Sequence, residues 1–226
     1  MGRGPADGRR IDAMRIGILG SGLMGGTLGT LFARAGHEVV FSYARSGEKL
    51  ERLARDANGP ARAGTPAEAV RGADAVLLAV HWQRTDDVLR QAGDLAGAVI
   101  VTCSLPMTAD DSALAIGHTT SGAETLAAKV PAAKVTSAFG TLPSEVFFDV
   151  FAARHQARRP SAVYCGDHAD ANAVAATLLG DVGFDPVDAG PLRIARYMEP
   201  FALLMGQLAY EGSDGPRIAY RVERFG

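Results

Sequence analysis

Lysine is scarce in this sequence: Lys49, Lys129 and Lys134 stand against twenty arginines, and the last ninety-two residues contain none. Cysteine occurs twice, at Cys103 and Cys165, each inside an apolar, strand-like run. Two thiols so placed read as buried free cysteines of a reducing compartment, not as a disulfide scaffold. No stretch approaches the roughly 18–20 apolar residues needed to span a bilayer. The leader Met1–Ala13, rich in Gly, Pro and Arg, has no apolar segment and so is no secretory signal. Residues 1–13 are read as a disordered extension and the compartment as the cytoplasm. Charge of one sign is missing as well. The 23 basic and 25 acidic side chains leave a formal net charge of -2 and a pI near 6.2. That balance gives nucleic acid or an anionic membrane no electrostatic footing. Glycine is what the chain has in excess, 27 residues or about 12% against a usual ~7%.

From Met14 onward the pattern alternates. Arg15–Leu19 is a short apolar run, followed by a glycine-rich turn and by Leu23–Ala35, apolar at helical spacing and stopped by Gly36. His37–Phe41 reads as a second strand, and Glu48–Asp56 as a polar helix with Leu50 and Leu53 inward. Thr65-Pro66-Ala67-Glu68 predicts a helix start, with an N-cap Thr, Pro in the first turn and Glu closing a capping box. Ala73–Val80 and Ala98–Cys103 are near-continuous apolar runs, the mark of parallel strands covered on both faces. Further strands are expected at Lys134–Ala138, Ser161–Cys165 and Phe184–Asp188. Strands alternating with helical stretches imply a Rossmann-type, doubly wound α/β fold with a mostly parallel sheet. One dinucleotide-binding domain over residues 14–190 and a small C-terminal helical cap over 191–226 account for the length.

Gly20-Ser21-Gly22-Leu23-Met24-Gly25 is a GxGxxG segment that follows a strand and opens a helix. In that setting the first glycine permits the tight turn, the second lets backbone amides approach a pyrophosphate, and the third allows close helix–strand packing. An NAD site normally carries Asp or Glu at the end of the second strand, against the ribose 2'-hydroxyl. This chain instead reads Ser42-Tyr43-Ala44-Arg45-Ser46-Gly47-Glu48-Lys49. Ser42, Arg45 and Ser46 are donors for a 2'-phosphate, Tyr43 or Arg45 can stack on adenine, and NADP(H) is the cofactor expected.

The chemistry beside the nicotinamide is less explicit. Carbonyl and imine reduction need a proton donor there. The scarcity of lysine removes the late lysine of the 3-hydroxyacid dehydrogenases, and no Ser…Tyr-x-x-x-Lys arrangement replaces it. There is no room for the long helical domain of the pyrroline-5-carboxylate type of imine reductase. His37 reads as structural and His155, among Arg154, Arg158 and Arg159, as part of a solvated face. His81 ends an apolar strand, where ligands collect in open α/β sheets. No residue is assigned a catalytic role and no spacing argues for a metal. A second redox ring that carries its own chemistry is the acceptor this pattern fits.

The sequence resembles the F420-dependent NADP oxidoreductases, also called NADPH-dependent F420 reductases, from Met14 to about Gly212. The resemblance is carried by MRIGILGSGLMG, GHEVVFSYARSGEKL and LLAVHWQRTDDVL, and more specifically by AAKVTSAFGTLPSEVF and SAVYCGDHADANAVAATLLGDVGFDPVDAGPL. It implies hydride transfer between NADPH and the deazaflavin of coenzyme F420 in a homodimer. It implies that Gly20–Gly25 hold the pyrophosphate, that Ser42, Arg45 and Lys49 hold the 2'-phosphate, and that Val80 and His81 lie along the nicotinamide. Phe139, Gly140, Thr141, Leu142 and Pro143 would border the ring acceptor, with Pro106 and Met107 closing the same pocket. Two positions depart from the methanogen-type reductases, which carry His in place of Gly140 and Pro in place of His81. An FMN or FAD acceptor, as in flavin-linked ferric reduction, therefore stays open beside the deazaflavin. So does a non-catalytic NADP(H)-binding redox sensor.

Overall fold

The structure, a computed structural model, describes residues 13–225; the expected N-terminal extension lies outside the described residues except for Ala13. Eight strands form one sheet: β1 Arg15–Leu19, β2 Glu38–Ser42, β3 Ala61–Ala63, β4 Ala75–Leu78, β5 Val99–Thr102, β6 Lys134–Ser137, β7 Ser161–Gly166 and β8 Asp185–Asp188. Their order is β3-β2-β1-β4-β5-β6-β7-β8. The first six follow the doubly wound Rossmann order and run parallel. β7 is antiparallel to β6, pairing only through Thr136 with Gly166 and Ser137 with Cys165, and β8 returns parallel to β7. The mostly parallel, Rossmann-type sheet is as expected. β3 is the strand without a sequence signal, since Ala-Arg-Ala at a sheet edge has neither length nor an apolar run.

The helices are α1 Leu23–Ala35, α2 Gly47–Asp56, α3 Pro66–Val70, α4 Thr85–Ala92, α5 Gly122–Lys129, α6 Phe147–Ala152, α7 Ala169–Val182 and α8 Ala195–Gly206. They cover both faces of the sheet. Ile16, Ile18, Phe41, Leu77 and Val101 pack toward α1, α6 and α7, while Leu19, Val40, Val76, Leu78 and Ile100 pack toward α3, α4, α5 and α8. Each central strand thus feeds two cores by strict alternation, which is why these runs look uniformly apolar in the sequence. The expected capping box at Thr65 forms, with Glu68 N–H donating to Thr65 Oγ1 (3.2 Å) and Thr65 N–H to Glu68 Oε2 (2.7 Å). His37 is fully buried, accepting at Nδ1 from Met14 N–H, so its Nε2–H donates to Asp181 at 3.0 Å.

The C-terminal segment does more than cap. After α8 the backbone widens into a π-helical turn, Gln207–Glu211, and residues 213–225 then run without helix or strand. This tail occupies the flank of β7 that β6 leaves bare: Ser161 N–H donates to Tyr220 O (2.9 Å) and Val222 N–H to Ser161 Oγ (3.0 Å). The Tyr220 ring meets Phe201 of α8 edge-on, and its hydroxyl accepts from Val163 N–H.

Candidate functional site

The end of β1, the following loop and the start of α1 are built as the sequence motif requires. Gly20 has φ +110, a left-handed conformation that an L side chain rarely adopts. A Cβ on Gly25 would fall inside the van der Waals envelope of the Gly20 carbonyl oxygen, so the third glycine is fixed by packing. Gly22 differs: a Cβ there meets nothing within 4 Å. The second glycine faces open space above the loop. α1 begins with no side-chain cap and no acid in its first turn, so its leading amides and the positive end of its dipole face that space. Those are the properties of an anion site, and the residues present fit a dinucleotide pyrophosphate.

Ser21 and Ser42 belong to the frame. Both are buried, Ser21 Oγ donating to Ser42 O (2.9 Å) and Ser42 Oγ to Ile18 O (2.6 Å). Ser42 was expected to donate to a 2'-phosphate. Its proton is committed to the sheet backbone, so the residue braces the loop and has no proton left for a phosphate. Beyond it the chain turns sharply at Tyr43 (φ 56), whose hydroxyl donates to Asp87 Oδ2 at 2.6 Å. Partial burial and the Asp87 carboxylate push the Tyr43 phenol up, and the same bond holds Asp87 below the usual carboxylate range. Arg45 is exposed and has no ion pair among the described residues. Ser46 caps α2, its hydroxyl accepting from Lys49 N–H at 3.4 Å. Arg45, Ser46 and the N-terminal turn of α2 therefore stand together at the end of β2.

A cavity of about 820 Å³ opens beside the glycine loop at the C-terminal ends of β1, β4, β5 and β6. Its floor is Gly22, Leu23 and Met24, one wall is Ala79, Val80, His81 and Trp82, and a second is Gly140, Leu142, Pro143 and Ser144. The roof is the end of α8 and the π turn, from Ala202 to Glu211. Gly140 approaches the β5 end so closely that a Cβ would lie 3.2 Å from Cys103 O, so glycine here lets the two walls meet. Val80 is held by Ser104, whose hydroxyl accepts from Val80 N–H (3.2 Å) and donates to Val80 O (2.8 Å). Cys103 also lines the cavity, but burial pushes its thiol up to about 12, which leaves it protonated and inert.

Three expected contacts lie elsewhere. Thr141 is buried with its hydroxyl against the Tyr220 hydroxyl at 2.8 Å, so it anchors the C-terminal tail and does not face the cavity. Phe139 (φ 65) is fully buried, its ring edge-on to Phe32 and Phe147. Pro106 is buried against Gly122 at the start of α5, and Met107 takes the cavity-lining place. His81 does line the cavity, exposed, with Nδ1 3.8 Å from Asp111 Oδ2. Trp82 lines the cavity beside His81, and the lining residues that the sequence did not point to are Ser104 and the whole α8 roof. Ser104 carried a usable signal, since it directly follows an apolar strand at the ligand-bearing end of the sheet.

Residues 15–106 match the family described as the coenzyme F420-dependent NADP oxidoreductases. This part of the chain is similar to that family. The F420-dependent oxidoreductase match spans β1 through β5 and so contains the glycine loop, Arg45, Val80, His81 and Ser104. It sets the chain among the NAD(P)-dependent oxidoreductases, as the resemblance implied. A candidate F420-dependent NADP reductase of Arthrobacter sp. FB24 is similar in fold, with a TM-score of 0.81 over 94% of this chain and 100% of that one at 24% identity. The reductive aminase of Aspergillus terreus, solved with NADPH, has a TM-score of 0.63 at 20% identity and covers 86% of this chain and 61% of its own. Among curated proteins, the rat metalloreductase STEAP3 is 28% identical over 192 residues, 85% of this chain. The chain spans only 37% of the length of that relative. No helix among the described residues is long and apolar enough to cross a membrane.

Proposed function

We propose that the chain is an NADP(H)-dependent reductase passing hydride to a flat ring acceptor, a deazaflavin such as coenzyme F420 or a flavin such as FMN or FAD. The observation that carries this reading is the cavity itself. It is continuous with the glycine loop and extends past Val80 to the roof formed by α8. A sensor that bound only the nucleotide would have no use for the space beyond the nicotinamide.

NADPH, when bound, supplies the hydride. The free amides at the start of α1 hold its pyrophosphate, and Gly22 leaves room for it. Arg45, Ser46 and Lys49 hold the 2'-phosphate, and Tyr43, fixed by Asp87, flanks the adenine. Val80, braced by Ser104, backs the nicotinamide, with Leu142 and Pro143 across the gap. Tyr210 is the one phenol on the lining, and it is a poor acid. Its hydroxyl already donates to Glu145 Oε2 (3.0 Å), and burial together with that carboxylate pushes it up to about 12. Such a site suits an acceptor that needs no proton from the protein at the moment of transfer.

Arg45→Ala should raise the NADPH dissociation constant tenfold or more, from losing roughly 1.5–3 kcal/mol of charge-assisted bonding, and leave NADH binding nearly unchanged. Isothermal titration with both nucleotides checks this, and equal losses would misplace the 2'-phosphate. NADPH oxidation followed with F420, FMN, FAD, riboflavin and deazariboflavin tests the activity. Tight NADPH binding without turnover on any of them would replace the reductase with the sensor.

A homodimer in the cytoplasm completes the proposal. Tyr197, Leu204 and Leu208 leave large apolar side chains exposed at the spacing of one helical stripe along α8 and the turn after it. The buried thiols Cys103 and Cys165 suit a reducing compartment. Sedimentation should give twice the 23.6 kDa chain mass and, for a Leu204→Glu, Leu208→Glu variant, the chain mass alone.

A further inference from the structure

The cavity has a chemically divided lining. Its inner part is apolar, formed by Val80, Leu142, Pro143, Ala202 and Met205. Its acidic side chains and His81 stand at the mouth, where the loop after β5 supplies Asp111, with His81 at 3.8 Å, and the turn after α8 supplies Glu211. Both carboxylate residues are exposed, and Tyr210 brings a third, Glu145, to the same rim through its hydroxyl. No lysine or arginine among the described residues lines the cavity. The cationic and amide-rich positions, Arg45 and the first turns of α1 and α2, all stand at the nucleotide end.

From this division, and resting on the reductase reading above, we infer that the acceptor is a flavin-type ring with a neutral polyol tail, riboflavin or the unphosphorylated 5-deazariboflavin core of F420. The ring lies in the apolar part and the tail leaves through the mouth. Ribityl hydroxyls are donors, and ionised carboxylates such as Asp111 and Glu211 accept from them strongly. A phosphate on the same tail, as in FMN or in the phosphodiester-linked tail of F420, meets like charge with no lysine or arginine on the lining to offset it. Hydride moves from C4 of the dihydronicotinamide to N5 of the flavin, or C5 of the deazaflavin. The nucleotide is left as NADP⁺, and the electron pair delivered to the ring is balanced at N1 by a proton from water.

Matched pairs separate the tail from the ring. NADPH oxidation is measured with riboflavin against FMN, and with deazariboflavin against F420, at 10 mM and at 0.5 M salt. The neutral member of each pair should have a kcat/KM at least tenfold higher at 10 mM. The gap should narrow several-fold at 0.5 M, where the screening length falls from about 30 Å to only a few ångströms. An Asp111→Asn, Glu211→Gln variant should bring the ratio of neutral to phosphorylated acceptor toward one at low salt, whatever its effect on the absolute rate. Equal or better use of FMN and F420 by the unaltered protein at 10 mM salt would overturn the inference and leave the reductase reading standing. Tight NADPH binding with no oxidation by any of the four would remove the reductase reading itself.

Discussion

Gly25→Ala should abolish NADPH binding and also weaken the fold, whereas Gly22→Ala should weaken binding alone. The two glycines are three residues apart and serve different ends. An alanine methyl at position 25 collides with the Gly20 carbonyl oxygen, a backbone atom fixed by the chain reversal at φ +110 and by the Gly20 N–H to Ser42 O bond. Relief requires the start of α1 to move off the sheet, which disorders the amides that face the pyrophosphate. Overpacking of this kind costs about 1–3 kcal/mol, which for a chain of this size is a melting-temperature loss of roughly 2–12 °C. NADPH affinity should fall at least a hundredfold. Gly22 has φ -75 and ψ -156, accessible to alanine, and its Cβ would stand in open space. Its melting temperature should stay within about 1 °C of the unaltered protein, well below the ~2–4 °C that 1 kcal/mol produces, while NADPH binds at least tenfold more weakly. Calorimetric melting and nucleotide titration on both variants check this. A Gly22→Ala protein that binds normally would put the pyrophosphate elsewhere.

Glu199 should make the unaltered protein lose stability as pH rises from about 4.5 to about 7, relative to a Glu199→Gln variant. This side chain, 3% exposed, reaches from α8 to the start of α5, accepting from Gly122 N–H (2.9 Å) and Ala123 N–H (3.0 Å). Burial pushes its carboxyl up to about 7, with the two amides pulling the other way and the nearby Glu124 carboxylate adding to the rise. Glu124 is itself held below the usual range, chiefly by its bonds from Arg196 (2.8 and 2.7 Å). An acid whose folded value is raised binds a proton in the folded state that the unfolded chain has already released. Stability is therefore highest below about 4.5 and falls until the folded group has ionised near 7. The full span corresponds to roughly 3 kcal/mol. Denaturant melts of both proteins at half-unit intervals from pH 4 to 8 isolate it, because the other titrating groups cancel in the difference. A constant difference across that range would show the carboxyl ionised throughout.

The sequence made the nucleotide half of the site readable because each part of it is local. A strand, three glycines at fixed offsets and a helix start lie within about twenty residues, and the missing acid after Ser42 is equally local. The rest of the cavity is built from segments far apart. Val80 meets Ser104 across 24 residues, and Thr141 meets Tyr220 across 79. Strand alternation tells which core a side chain enters, but it stops at the strand end. That is why Gly140 and Leu142 line the cavity, whereas Thr141 and Pro106 pack away from it. Ser42 shows a second limit. Composition identifies it as a hydroxyl donor at the right address, yet only the backbone geometry shows that Ile18 O already takes the proton. β3 and the reversal at β7 were invisible for a third reason, that three small residues and a two-pair ladder leave almost no pattern to read.

The two margins of the sheet have a bearing on how this molecule meets its neighbours. β3 contributes three residues and follows Gly59-Pro60. At the other margin, β8 reads Asp185-Pro186-Val187-Asp188. Asp185 N–H and Ala189 N–H turn inward to Pro160 O and Tyr164 O of the β7 side, so the outward amide places are those of Pro186, which has no N–H, and of Asp188. A short rim on one side and a proline between two carboxylates on the other offer no template for a foreign strand. The sheet is in effect sealed against end-to-end growth into aggregates, and copies of this protein that associate must do so through their helices.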